Sequence, residues 1–137
     1  MSNSFVPFYS ARPLLLSVAA AMSLMACAAM VPSEPARLAP LSAQTSTSPI
    51  AVTGDVEVRL STGYTRTLTA GSHWRPVGAL PQGIVYQPVE GVFSIEGHHV
   101  HEAYLVVKGS TLQGFYLAGE ANFSPLVPSV SLPLGAP

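Results

Sequence analysis

The chain has 137 residues, six Lys and Arg, seven Asp and Glu and a formal net charge of −1, and only 9% of its residues are charged. So few cations argue against a nucleic-acid partner and against a polybasic site for lipid headgroups. The thirteen prolines and eleven glycines disfavour long helices and favour short strands joined by turns.

The first 26 residues have the pattern of an export signal. Residues 1–13 carry one cationic side chain, Arg12, and residues 14–26 are apolar and end in small side chains. We therefore predict a cleaved signal peptide over residues 1–26. A signal anchor kept in the inner membrane and a buried core helix are the two alternatives that the apolar run leaves open.

The stretch Leu24-Met25-Ala26-Cys27 closes the apolar run and holds the only cysteine of the chain. One cysteine cannot form an internal disulfide, and a free thiol is a liability in an oxidising compartment, so we expect the sulfur to be covalently capped. The stretch resembles the lipobox of bacterial lipoproteins. In that family a diacylglyceryl group is attached to the thiol, the signal is cut before the cysteine, and the new amino terminus is acylated, for example with palmitate.

The resemblance implies that Cys27 is the lipidation site of a membrane-anchored lipoprotein. The residue after it is Ala28, whereas an aspartate at this position favours retention in the inner membrane of Gram-negative cells. For a Gram-negative source, the resemblance therefore implies attachment to the outer membrane, facing the periplasm.

Two proline-rich segments flank the predicted domain. Residues 27–50 contain four prolines and the polar run 42–48, a composition that predicts a flexible linker between the acylated cysteine and the domain. Residues 128–137 contain three prolines and predict an extended tail, either lying on the domain or frayed.

Residues 51–127 have the pattern of a small β domain. Residues 56–60 alternate apolar and polar side chains, and residues 64–68 are β-prone and predict a hairpin partner for them. Further short strands are predicted near residues 84–86 and 92–95. The fold class is therefore all-β, a small barrel or sandwich of about six short antiparallel strands.

The most specific prediction is a hairpin of residues 102–108 and 111–117 around the turn Gly109-Ser110. Glycine at the first central position suits a two-residue type II′ turn. This pair of strands is also similar to the core of small envelope lipoproteins of uncharacterised function. Counting outward from the turn pairs Lys108 with Thr111, Val107 with Leu112, Leu105 with Gly114, Tyr104 with Phe115 and Ala103 with Tyr116.

A polar cluster, His98-His99-Val100-His101-Glu102, precedes the hairpin. On a strand, His99 and His101 point to the same face, and the predicted register places His99 opposite Glu120. Two imidazoles and a carboxylate could hold zinc or copper, so His99, His101 and Glu120 are the candidate metal ligands. The alternatives are solvated histidines at an exposed strand entry and a pH-sensing role.

Two other groups of residues are candidate sites. Trp74, Arg75 and Tyr86 could line a ligand groove by stacking, whereas a single tryptophan in a small domain is commonly a core anchor. Glu102 could act as an acid with Glu120, but the predicted register puts the two on opposite faces, which favours a surface carboxylate.

No nucleophile elbow, phosphate-binding loop or zinc-protease motif occurs in the sequence, so we predict that the protein is not an enzyme. The sequence favours a lipid-anchored envelope lipoprotein with a structural or protein-interaction role, contacting an envelope protein through exposed strand edges. The alternative is a periplasmic module that binds a metal or small ligand through His99, His101 and Glu120.

Overall fold

The computed structural model of the protein describes residues 3, 4, 27 and 29–137, which form strands and turns without a helix. Apart from residues 3 and 4, the predicted signal peptide lies outside the described residues. Within the described ranges, no helix has the length and hydropathy of a membrane-spanning segment.

The prediction of an all-β fold is confirmed. The described residues form eleven strands rather than about six, because five segments add to the six that the sequence predicted: Glu34–Pro35, Ile50–Val52, His73–Leu80, Asn122–Ser131 and Leu134–Gly135. The strands are β1 (Glu34–Pro35), β2 (Ile50–Val52), β3 (Val56–Arg59), β4 (Thr65–Leu68), β5 (His73–Leu80), β6 (Gly83–Pro88), β7 (Ser94–Glu96), β8 (Val100–Lys108), β9 (Thr111–Leu117), β10 (Asn122–Ser131) and β11 (Leu134–Gly135).

Nine strands form one antiparallel sheet in the order β1-β10-β9-β8-β6-β5-β2-β11, with β7 paired to the first residues of β8. The sheet curls, because β10 is second in this order and β11 is last, yet only Leu132 and Pro133 separate them in the chain. β11 pairs with β2. The hydrogen-bonded order nevertheless stays open, so the described residues do not close a barrel. The architecture is consistent with a sandwich.

The hairpin of β3 and β4 forms its own two-stranded sheet and confirms the predicted pairing of these segments. Its apolar side chains Val58, Leu60 and Leu68 are buried against one face of the large sheet. The main core between the two sheets consists of Val31, Val52, Val58, Leu60, Leu68, Trp74, Phe93, Ile95, Ala103, Leu105, Val107, Leu112, Phe115, Leu117, Leu126 and Leu132.

The hairpin of β8 and β9 has the predicted two-residue turn but a different register. Gly109 has a φ of 64°, and Lys108 pairs with Thr111 as predicted. A β-bulge at Gln113 then adds one residue to β9, so every pair beyond the bulge shifts by one. The observed pairs are Val106 with Gly114, Leu105 with Phe115, Tyr104 with Tyr116 and Ala103 with Leu117.

The predicted pairs of Leu105 with Gly114, Tyr104 with Phe115 and Ala103 with Tyr116 are therefore wrong. Counting outward from a turn assumes an unbroken ladder, and a bulge breaks it. The bulge also explains why Leu112 and Phe115, three residues apart, share the main core. On the opposite face, Tyr104 contacts Tyr116, with ring centroids 6.2 Å apart.

Gly114 gives room to β10 and not, as predicted, to Leu105. A Cβ atom at this position would collide with the carbonyl oxygen of Ser124 and with the ring of Phe123. Both residues lie on β10, which pairs with β9 at this point. The glycine therefore allows the two strands and the Phe123 ring to approach closely.

The segment predicted as the start of a flexible linker is packed on the domain. β1 pairs with β10, the backbone N–H of Ala36 donates to Ala121, and Ala39 exchanges two hydrogen bonds of 2.9 Å with Ala79. Leu38 packs with Ala36 on a second apolar cluster, on the sheet face opposite the main core. We call residues 31–39 the strap. Its pairing was not predicted, because the proline-rich and polar composition of residues 27–50 is typical of a linker.

The C-terminal segment also lies on the domain, which was one of the two predicted alternatives. β10 continues to Ser131, Leu132 is buried in the main core, and β11 pairs with β2. The backbone N–H of Thr53 donates to the carbonyl of Pro133 at 2.8 Å. The folded unit therefore extends beyond residues 51–127 in both directions.

The strap predicts resistance to trypsin at Arg37. Although Arg37 is exposed, its flanking residues Ala36 and Ala39 are hydrogen-bonded to the domain, so cleavage requires local opening. We expect the Arg37–Leu38 bond to survive trypsin until the strap unfolds in denaturant, as followed by mass spectrometry. Gln44→Arg places a matched site where no sheet pairing exists, and it should be cut sooner. Cleavage of both sites at the same fast rate would contradict the docked strap.

Candidate functional site

Cys27 is exposed, and its thiol forms no disulfide. Four positions later, Val31 is buried, and Val31 and Ala29 lie against Gly97, where an added Cβ would contact both. The chain therefore reaches Cys27 from the end of the domain that holds the turn between β7 and β8. Met30 and Val100, which are 76% and 67% exposed, lie at this end.

His98, His99 and His101 lie at the same end of the domain. The His98 and His99 rings have centroids 4.5 Å apart, and those of His99 and His101 are 6.5 Å apart. His101 Nδ1 lies 2.7 Å from the Oε1 of Glu120. Glu120 thus contacts His101, whereas the predicted register placed it opposite His99.

This geometry gives Glu120 a different role from the predicted one. Because its carboxylate binds Nδ1 of His101, it fixes the ring and leaves the Nε2 atom to face a ligand. Carboxylates commonly orient metal-binding histidines in this way. Among the residues that the structure describes, no three His, Cys, Asp or Glu side chains form a group that could hold a metal ion.

Glu102 belongs to a hydrogen-bonded chain on the outer face of the sheet. The Tyr104 hydroxyl donates to Glu102 at 3.3 Å and accepts from Nε2 of Gln87 at 3.0 Å, and the Gln87 oxygen accepts from Arg75. Burial raises the pKa of the Tyr104 hydroxyl, and the negative charge of Glu102 raises it further. Glu102 is thus a surface carboxylate with a tyrosine partner, and Glu120 belongs to a different contact.

The predicted groove of Trp74, Arg75 and Tyr86 does not form as a unit. Trp74 is 2% exposed and packs edge-on against Phe93, with centroids 5.4 Å apart, so it is a core anchor. Arg75 points to the outer face, where it bonds Gln87. Tyr86 lies on the core side, and burial raises its pKa.

The structure does form a cleft beside Trp74, of about 240 Å³, that sequence reasoning missed. It lies where β4 meets the start of β5 and the loop before β7. The missed signal is Arg66, which follows the same alternation as the buried Leu68 and so points inward from β4. The lining residues are Arg66, Thr67, Leu68, Thr69, Gly71, Ser72, His73, Trp74, Pro88, Glu90, Val92 and Phe93.

The described residues thus present three features with chemistry: an exposed thiol near the domain, an imidazole–carboxylate pair and an arginine-lined cleft. Comparisons of the chain with protein-family models, with curated proteins and with solved structures find no match.

Proposed function

We propose that the protein is a lipid-anchored lipoprotein of the cell envelope, attached through acylated Cys27 and serving a structural or protein-interaction role. The observation that supports it most is the lipobox-like stretch 24–27 at the end of an apolar run, with the only cysteine as its last residue. Exposure of the Cys27 thiol is compatible with acylation. More than one acyl chain is needed for stable anchoring, and an acylated lipoprotein cysteine carries several.

The proposal has a geometric consequence, because the strap shortens the tether. Between Cys27 and the first buried residue, Val31, there are four Cα–Cα steps, which span at most about 14 Å. The domain would therefore sit against the bilayer rather than swing on the 24-residue linker predicted from composition. The turn before β8, with His98 and His99, and the exposed Met30 would face the lipid.

Of the exposed strand edges predicted to contact a protein partner, the two at the ends of the large sheet are short. The large sheet ends in β1 and β11, each two residues long. Short edge strands leave few unpaired backbone groups for another chain to pair with. The edge contact proposed for a protein partner therefore falls to the unpaired sides of β10 beyond Phe123 and of the β3–β4 hairpin.

Fractionation of cells tests the anchored state. We expect the native protein to stay with membranes through high-salt and alkaline-carbonate washes and to dissolve only in detergent, because covalently attached chains insert into the bilayer. In a Gram-negative source it should co-sediment with outer membrane on a density gradient. Release by either wash would contradict the proposal.

We propose metal binding at His101 as a second candidate function, favoured by the 2.7 Å contact that orients its ring. His99 lies in the turn before β8, and its ring centroid is 6.5 Å from that of His101. Glu120 would act through His101 as an orienting carboxylate. Zinc or copper is the class of ion that suits imidazole nitrogen.

Zinc titration followed by thermal unfolding tests this site. Binding stabilises the folded state by mass action, so we expect the Tm to rise with zinc concentration. His99→Ala combined with His101→Ala should abolish the rise, whereas His73→Ala, which removes an exposed histidine elsewhere, should keep it. The metal site would be contradicted if zinc did not change the Tm, or if the rise in Tm persisted in the double variant.

A further inference from the structure

Arg66 is a charged residue on the face of β4 that points to the core. On β4 it pairs with Val58, which is fully buried, and its neighbour on the same face is the buried Leu68. Its guanidinium carbon lies 4.8 Å from the centroid of the Phe93 ring, a cation–π contact. The β3–β4 hairpin therefore carries a cation on the face that it turns to the core.

This cation has an unmet hydrogen-bonding requirement. Its Nε atom is buried and has no acceptor among the described residues. All seven carboxylate side chains of the protein fall within the described ranges, and their one ion pair is that of Glu120 with His101. Buried donors are nearly always paired, so an arginine without an acceptor at the wall of a cleft calls for one from outside the chain.

The cleft beside Arg66 has both an apolar wall and a polar rim. Leu68, Phe93 and Trp74 form the wall, and the indole N–H of Trp74 already donates to Ser72 at 3.0 Å. The ionisable side chains that line the cleft are Arg66, His73 and Glu90. Glu90 is outside ion-pairing distance of Arg66, so it does not neutralise the guanidinium.

We propose that this cleft binds a small organic carboxylate with an apolar or aromatic body. The carboxylate accepts hydrogen bonds from the guanidinium of Arg66, and the body lies against Trp74 and Phe93. Arginine matches a carboxylate because its planar fork donates two parallel hydrogen bonds. A volume of about 240 Å³ lies below that of most drug-sized sites, so the ligand is small. Such binding goes beyond membrane anchoring and does not depend on it.

The fluorescence of Trp74, the only tryptophan, reports on the cleft directly. The probe is sodium benzoate added to the full chain in a neutral detergent at constant ionic strength, and benzyl alcohol serves as the uncharged analogue. We expect a saturable change with benzoate and affinity for benzyl alcohol at least about tenfold weaker, because a charge-assisted hydrogen bond is lost. Equal responses to the two compounds, or no saturable response to benzoate, would overturn the proposal.

Two variants separate the cleft from other anion sites. Arg66→Gln should weaken benzoate binding by about tenfold or more, and Arg75→Gln, which removes an arginine from the outer face, should leave it unchanged. Because Arg66→Gln also alters the core, the NMR shift of the Arg66 Nε–H is followed in the unmodified protein. Benzoate should move this resonance and benzyl alcohol should not. The assignment would be overturned if Arg66→Gln bound benzoate with unchanged affinity, or if benzoate did not shift the Arg66 Nε–H resonance.

Discussion

Cys27→Ser is expected to accumulate as an unlipidated precursor that keeps its signal. A serine hydroxyl cannot take the thioether-linked lipid, and in the lipoprotein family cleavage follows lipidation. The precursor should therefore be larger than the native protein by residues 1–26 and should take up no labelled palmitate. Both effects are read on one gel of washed membranes, by immunoblot and by the label.

Ser23→Ala is the matched control, because it alters the same region but leaves residues 24–27 intact. This variant should remain membrane-bound and processed. If the native and the Cys27→Ser proteins have the same size and neither takes up the label, the lipid does not hold the native chain, and a retained apolar segment of residues 14–26 becomes the better explanation.

Gly114→Val is expected to cost about 3 kcal/mol or more of unfolding free energy, or to prevent folding. The added side chain meets the Ser124 carbonyl, which is backbone and cannot rotate away, and also the Phe123 ring. Relief requires β10 to move off β9, and β10 also carries the pairing of the strap. Urea denaturation followed by circular dichroism measures the loss.

Gly119→Val is the control for the loss of glycine itself. No atom outside its chain neighbours lies within 4 Å of a Cβ added there, and Gly119 does not have a positive φ. The stability should therefore change by less than about 0.5 kcal/mol, as for ordinary surface substitutions. Equal losses in the two variants would contradict the close approach of β9 and β10 at Gly114.

The strand pattern of the domain was predictable because alternation and turn residues are local signals. Residues 56–60 and 64–68 pair as their pattern indicates, and Gly109-Ser110 makes the two-residue turn. The bulge at Gln113 was not predictable by counting from the turn, because it depends on how Leu112 and Phe115 pack in one core. A local rule cannot include that tertiary requirement.

The strap escaped prediction for a related reason. The strap is held by backbone hydrogen bonds from Ala36 and Ala39, and these bonds leave no trace in side-chain composition. Its few apolar residues, such as Leu38, suffice because the sheet supplies the rest of the cluster. Composition therefore predicted a linker where the fold has an added layer.

The candidate sites also differ in how much of each could be predicted from local sequence. Cys27 was predicted from a motif, which needs no fold, and His101 and Glu120 were predicted in one set but not as opposed residues. The contact between Arg66 and Phe93 joins residues 27 positions apart, one on β4 and the other in the loop before β7. Sites made by packing between distant segments become visible only once the strands are placed.

Mass spectrometry of the native protein's amino terminus tests the central claim most directly. The account predicts that the mature chain begins at Cys27, with a mass increase equal to a diacylglyceryl group and an amide-linked fatty acid. A native chain that still begins at Met1, or one that begins elsewhere with an unmodified Cys27, would contradict it.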